Sequence, residues 1–541
     1  MTHIDTNTPC AALDEAHVGS IRGAFGTIAA GDLGPRATWW ARLKTLMAIL
    51  GPGLIVMVGD NDAGAFGTYT QAGQNYGTAL LWTLPLLVPV LYVNQEMVLR
   101  LGVVARVGHA RLILERFGRF WGAFSVVDLF LLNALTLVTE FIGICLALDY
   151  LGVSRTLGVV LSGILIVAAG ATGDFRRFER FSMLLVAGSL LLVPILVLVH
   201  PPAAQIARDL LVPRLPDKAD LSEVMMLVIA IVGTTIAPWQ LFFQQSYVID
   251  KRITPRFMRY EKADLWLGIV LVIAGAAAMM AFSAALFDGK PEAGGFTDAG
   301  AIAAGLGKYA GPTAGVLFAL ALIDACLIGA AAVSLSTAYA IGDVLSLKHS
   351  LHRKASDAKL FYGVYGGLVA LAAGLVLAPG TPLGLLTNAV QALAGVLLPS
   401  ATVFLLLLCN DREVLGPWVN SRALNLFTGA VIAVLVLLSV ILTVSVLFPG
   451  IEAGRLLGIL AGGAGLAASL GLMIWLAEGR ARRPIDRSSR ESWLMPPLHR
   501  LKPACMTTQT RAWMALLRLY LLAAGGMVLA RIVALAFAGH G

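Results

Sequence analysis

Residues 51–73, GPGLIVMVGDNDAGAFGTYTQAG, form an apolar run with Asp60, Asn61 and Asp62 at its middle. Acids inside a membrane-length apolar segment are costly, and they face a partner, a cavity or an ion path. Gly59, Gly64 and Gly67 tolerate unwound backbone around them. Residues 231–246, IVGTTIAPWQLFFQQS, are interrupted in the same way, with Pro238 at the centre. Proline lacks a backbone donor and clashes with the preceding helical turn. Paired interruptions in corresponding places of two halves point to a transporter's binding site.

Further runs of spanning length surround these two. Together they cover about 45–71, 78–104, 121–148, 155–172, 181–199, 221–249, 264–287, 311–345, 360–378, 383–408, 423–448 and 455–477, which makes twelve. The broken runs are the first and the sixth, a spacing that fits two inverted five-helix repeats. A thirteenth apolar segment, 512–538, carries Arg518 and Arg531. A central arginine costs roughly 2.5–3.5 kcal/mol on insertion scales, so spanning and lying in the interface both stay open for it.

Composition agrees with a polytopic membrane protein. Of 541 residues 58% are apolar and only 13% charged, against roughly 25% charged in soluble proteins. This excludes a string of soluble domains, a disordered chain and a disulfide scaffold. Cys10, Cys145, Cys326, Cys409 and Cys505 are scattered, with no zinc-like spacing, and read as inert. The first 38 residues are polar and contain acids, which does not fit a signal peptide.

The net charge of +8 is explained by position. Of 40 basic residues, 31 lie in or at the edge of alternate segments that include the N-terminal tail. Basic residues gather in cytoplasmic loops, so the N-terminus is expected inside and nucleic acid is not a partner. The chain divides into a cytoplasmic tail (1–44), a transport core (45–408), helices 11 and 12 (409–477), a basic linker (478–511) and a last apolar segment (512–541). The arginines of 480–490 read as solvated, with anionic lipid contact as the alternative.

Unwinding span 1 near Asp62-Ala63-Gly64 would free carbonyls at the negative end of a half-helix, beside a carboxylate. Such hard oxygen ligands suit a cation. The competing readings are a structural carboxylate at Asp62 and a simple kink at Pro238.

The stretch 51–73 resembles the first helix of NRAMP divalent-metal transporters, and GTTIAPWQL (233–241) resembles their sixth. QALAGVLLPSATVFLLLLCNDREVLGPWVNSRALN (391–425) is similar to the tenth helix and the following loop. NQEMVLRLGVVARVG in span 2 and VTEFIGICLALDYLGV in span 3 add support, so the likeness covers about 45–450. It implies an all-α polytopic membrane protein with a LeuT-like inverted repeat of 5+5 helices. Helices 1 and 6 are discontinuous, and two or three helices follow.

The departures are specific. The family's Asp-Pro-Gly-Asn keeps its acid as Asp62, but Ala63 and Ala65 replace Pro and Asn. Its Met-Pro-His becomes Ala237, Pro238 and Trp239. In span 3 the Asp three residues before the kept Glu140 is Leu137, and the metal-facing glutamine of helix 10 matches Gln391.

A thioether favours soft and borderline metals, so Ala237 removes the basis for choosing iron or manganese over magnesium. Ala65 and Ala237 also enlarge the pocket, which suits an ion that keeps its waters, as magnesium does. The pattern resembles the NRAMP-related magnesium transporters. The expected metal-contacting set is Asp62, Asp60, Asn61, Ala63, Ala237, Gln240 and Gln391. Ala65, Thr234, Thr235, Pro238, Trp239, Glu140 and Asp324 are expected along the pathway. Family members that co-transport protons use the span-3 Asp and the sixth-helix His. With Leu137 and Trp239 in those places, proton coupling is not expected, although Glu140 still has a titratable carboxyl.

Among other polar residues, Asp128 reads as a vestibule or packing residue. Glu96 and Arg100 read as an i,i+4 pair, and Gln244 shares a face with Gln240 toward the exit. The expected product is a magnesium uptake system, with manganese as the alternative ion, in a bacterial inner (plasma) membrane. Lipid surrounds it, and no cofactor or obligate protein partner is expected. The rivals are a proton-coupled manganese or iron transporter and a sodium-coupled symporter for small solutes. An organic carboxylate would be repelled by Asp60 and Asp62. An intramembrane protease lacks support: no HExxH occurs, the eight histidines fall in loops or tails, and Asp343 lies at the end of its span, far from Asp324.

Overall fold

The computed structural model describes residues 14–216, 220–378, 390, 399–448, 453–478, 490, 493–504 and 508–538. Span 1 is in three pieces. Helix α1 (Trp39–Ile49) is capped by the Thr38 hydroxyl, which accepts from the Ala41 N–H at 3.2 Å. Gly51, at φ +153°, ends it, and Pro52 opens α2 (Pro52–Val58) at a bend of 51°. After residues 59–62, α3 (Ala63–Tyr76) completes the span.

Span 2 is α4 (Thr83–Ala105), followed by the connector α5 (His109–Phe117) and span 3, α6 (Arg119–Leu151). Span 4 is α7 (Arg155–Gly170); α8 (Phe175–Gly188) and α9 (Leu192–Val199) form span 5. A short α10 (Ala203–Leu211) leads to the broken span 6, α11 (Leu221–Thr235) and α12 (Pro238–Asp250). Then come α13 (Met258–Phe287), α14 (Ala299–Tyr309), α15 (Pro312–Val344) and α16 (Lys359–Leu377). Helix α17 (Pro399–Cys409) belongs to span 10. The remainder is α18 (Arg412–Leu415), α19 (Arg422–Leu447), α20 (Ala453–Glu478) and α21 (Thr508–Ala538).

Among the described residues, nine helices are long and apolar enough to cross a membrane, or ten with the bent pair α1–α2. The count of twelve is reached only by adding shorter pieces such as α7 and α17. Helix α21 packs on α19, with Ser439 Oγ and Tyr520 Oη 2.6 Å apart. Among the described residues its apolar stretch is Met514–Met527, and Arg518 lies over the Phe120 ring at 3.7 Å.

The tail departs from an all-helical reading. Strands β1 (Ile21–Gly23) and β2 (Gly26–Ile28) form an antiparallel hairpin. Ile21, Ala24 and Ile28 bury themselves, and Arg176 of α8 donates to the carbonyls of Gly23 (3.0 Å) and Gly26 (3.1 Å). Three apolar residues are too few to register as a pattern, yet enough to dock a hairpin on a preformed helix end.

The loops sort onto two faces. On the first, Arg252 donates to Ala16 O at 2.7 Å, Arg353 pairs with Asp14 at 2.7 Å and Arg111 donates to Ser346 at 2.6 Å. Arg116 there pairs with Asp411 at 2.5 Å, and its carbonyl accepts from Ala504 N–H at 2.8 Å. The described C-terminal part of the 478–511 linker is therefore docked, while of the 480–490 stretch read as solvated all but residue 490 lies outside the described residues. On the opposite face Gln74 donates to Glu292 O at 2.7 Å and Trp82 to Arg214 O at 2.9 Å. The first face is the one on which the basic segments converge.

Candidate functional site

The site begins with the break in span 1. The N–H groups of Asp60 and Asn61 turn back to the carbonyls of Met57 (3.2 Å) and Val58 (3.1 Å), closing α2. Asp62 is extended, and its carboxylate accepts from Ala65 N–H at 3.0 Å as the cap of α3. The unwound stretch is therefore 59–62, while Ala63 and Gly64 already lie in the first turn of α3. An Asp cap outcompetes further unwinding because it satisfies a donor that the helix start would otherwise orphan. Asp62 thus sits between the negative end of α2 and the positive end of α3.

Span 6 breaks for a related reason. Ala237 is extended and Pro238 takes the first position of α12, where its missing N–H costs nothing. Gln240, in the first turn of α12, donates to the Asp60 carboxylate and accepts from Gln95 Nε2 of α4 at 2.9 Å. The two breaks are thereby tied together. Thr235 bonds Tyr69 Oη at 2.7 Å across the α11–α3 seam. Asn61 Nδ2 donates to Val272 O at 3.2 Å. Asp60 Oδ2 and Asn61 Oδ1 are buried with no protein donor. Two hard oxygen acceptors left without donors beside a carboxylate fit a cation.

Glu140 approaches from α6. Its Oε2 accepts from Ala63 N–H at 3.3 Å, which sets the carboxyl beside Asp62, and its Oε1 is buried without a partner. Gly143 and Gly329 admit this crowding, since a Cβ at Gly143 would fall 2.6 Å from Cys326 Sγ and one at Gly329 3.0 Å from Glu140. A second carboxyl beside the break adds oxygens of the kind a hard cation takes. Leu137 is fully buried, and the Trp239 ring edge lies against Gly59.

The other expected residues divide. Ala65, Thr234 and Pro238 are buried close to the breaks, and Ala237 is partly buried. Asp324 lies against Gly188 at the seam with span 5. Asp128 accepts from Ser400 at 3.2 Å in a small cavity that also contacts Pro238 and Phe242. Both amide atoms of Gln244 are buried without partners. Glu96 and Arg100 do pair, at 3.3 Å, and Lys262 joins Glu96 at 2.8 Å. Gln391 lies outside the described residues. Not every histidine is in a loop: His109 opens α5, fully buried, and bonds Gln245 at 2.9 Å.

Gln95, Tyr69 and Cys326 were not anticipated at the site. Gln95 had a legible signal, an amide inside apolar span 2; a thiol and a tyrosine in apolar runs had none. Among the described residues no three His, Cys, Asp or Glu side chains group as a metal-holding set.

The sequence model of a family described as natural resistance-associated macrophage protein-like matches residues 53–445. Solved structures are similar throughout the core. One is a histidine-to-alanine mutant of the Eremococcus coleocola manganese transporter, at 20% identity and TM-score 0.63, covering 84% of this chain and 97% of that one. Another is that transporter with an aromatic bis-isothiourea-substituted compound, at 20% identity and TM-score 0.64, covering 86% and 98%.

Proposed function

The chain belongs to the Nramp family of membrane-embedded divalent-metal transporters, with its LeuT-like fold, and from that premise we propose that it carries magnesium as a partly hydrated ion. The observation that carries this reading is the acid-lined break in span 1, tied through Gln240 to a span-6 break that carries Ala237 where a thioether would select softer metals. Asp62 supplies charge, while Asp60 Oδ2 and Asn61 Oδ1 supply oxygens to the ion or to its waters. Gln240 and Gln95 hold Asp60 in place. Trp239 and Leu137 cannot accept a proton, so the ion moves down its own gradient, cytoplasm-ward with the N-terminus inside. Membrane potential contributes about 2.3 kcal/mol per charge per 100 mV, hence about twice that for a divalent ion.

The test is flux into proteoliposomes of magnesium, manganese and calcium. The native chain is expected to pass magnesium, Asp62→Ala to lose all fluxes by tenfold or more, on the order of 1.4 kcal/mol, and Ala237→Met to shift preference toward manganese. Unchanged fluxes in Asp62→Ala would sink the site. A second reading, proton-coupled manganese transport, is favoured by the Glu140 carboxyl beside Asp62. It predicts lumen acidification in step with metal uptake.

A further inference from the structure

Between the broken helices and the basic-loop face lies a second group of buried charges that ion binding does not use. Lys251, just past α12, donates from Nζ to Ile49 O (2.5 Å), Leu50 O (2.9 Å) and Glu179 Oε1 (2.6 Å). Glu179 Oε2 accepts from Ala24 N–H in the hairpin turn at 2.6 Å. Asp264 of α13 accepts from Gly51 N–H at 3.2 Å and Gly53 N–H at 2.6 Å. Spans 5 and 7, the end of span 6 and the hairpin thus grip the α1–α2 bend, the inner half of broken span 1.

Three carboxyls, of Glu179, Glu261 and Asp264, here share one ammonium, and all four side chains are buried. Lys251 and a backbone N–H satisfy Glu179, and two backbone N–H groups satisfy Asp264. Glu261 has nothing: both its oxygens are buried without a partner. The Tyr247 hydroxyl, also buried and unpartnered, lies among the same carboxyls. Lys262, the next residue after Glu261, is turned away to Glu96. A buried carboxylate with no donor is not retained in ionised form without a counter-charge. Lys251, the nearby ammonium, is already committed to Glu179 and to two backbone carbonyls, and a proton neutralises Glu261 where it stands.

We propose that Glu261 is a proton-binding site that is loaded while the basic-loop gate is closed over span 1 and discharges when that gate opens. Opening takes α1–α2 away from Lys251 and Asp264 and admits water, in which Glu261 ionises. The proton leaves to the basic-loop side and returns on closure, so no net proton accompanies the ion. The closed state binds the extra proton, so acid on that side favours closure. Flux falls by up to about tenfold per pH unit for one linked proton. The inference rests on the transport reading but not on the identity of the ion.

The experiment is magnesium flux through the full chain in proteoliposomes at clamped potential, with pH varied on each side separately. Native flux is expected to fall when the basic-loop side is acidified, and Glu261→Gln to give a flat profile. A flat native profile, or an unchanged slope in the variant, overturns the proposal. Infrared spectra of the purified native protein and Glu261→Gln give a readout without transport. A protonated buried-carboxyl stretch is expected in the native-minus-variant difference spectrum, and its absence from that difference overturns the proposal too. If no protein passes any ion, the transport reading fails and the infrared result alone judges Glu261.

Discussion

Asp60 and Asp62 differ more in their partners than in their positions. Asp62 is a helix cap that also meets Glu140, so its carboxylate is held by backbone. Asp60 is held by Gln240, itself held by Gln95. Replacing Gln240 with Leu is expected to leave Asp60 without its donor, raising the ion's KM several-fold in a flux assay while the fold persists. Lys251→Met tests a different cost. It leaves Glu179 buried and uncompensated, and removing one partner of such a pair costs about 3–5 kcal/mol. A lower thermal midpoint in detergent is the expected outcome. Asp60, Asp62 and Pro238 were legible because each breaks an apolar run. Lys251 and Glu179 were not, since each lies at a span's end where charge is ordinary and their pairing crosses 72 positions.

At the scale of elements, span 6 breaks because Pro238 can start a helix but cannot continue one. Pro238→Ala permits α11 and α12 to fuse, and is expected to cut flux sharply with little loss of helix content by circular dichroism. The turn after α15 carries a pH-dependent contact. Burial alone would lower the pKa of His349, but its bond to Asp343 at 3.1 Å outweighs that and holds it above the ordinary histidine value. A raised folded pKa means the contribution is complete below about pH 6.5, the unfolded value, and fades as pH rises through the folded one. The midpoint gap between native protein and His349→Gln is expected to be larger at low pH than at high pH; the reverse order would sink the assignment. The hairpin Ile21–Ile28 was not legible as an element, because its strands are three residues each and gain stability only against α8 and Ala48.

For the whole molecule, the sorting of loops onto two faces follows from alternation, and the uneven distribution of arginine and lysine along the sequence marks it. Arg111, Arg116, Arg252 and Arg353 then do more than face a compartment: they pin the tail, the connectors and the 493–504 stretch to one another. The membrane class, the alternation, the two broken helices and the acid at their centre follow from sequence, because each depends on which residues are apolar and where proline, glycine and aspartate interrupt them. The cap that moves the unwound stretch to 59–62, the Asp60–Gln240–Gln95 chain, the Asp62–Glu140 approach and the charges around Lys251 needed tertiary structure. Each joins residues far apart in sequence, and only the packing of whole helices determines which side chains share a dry space.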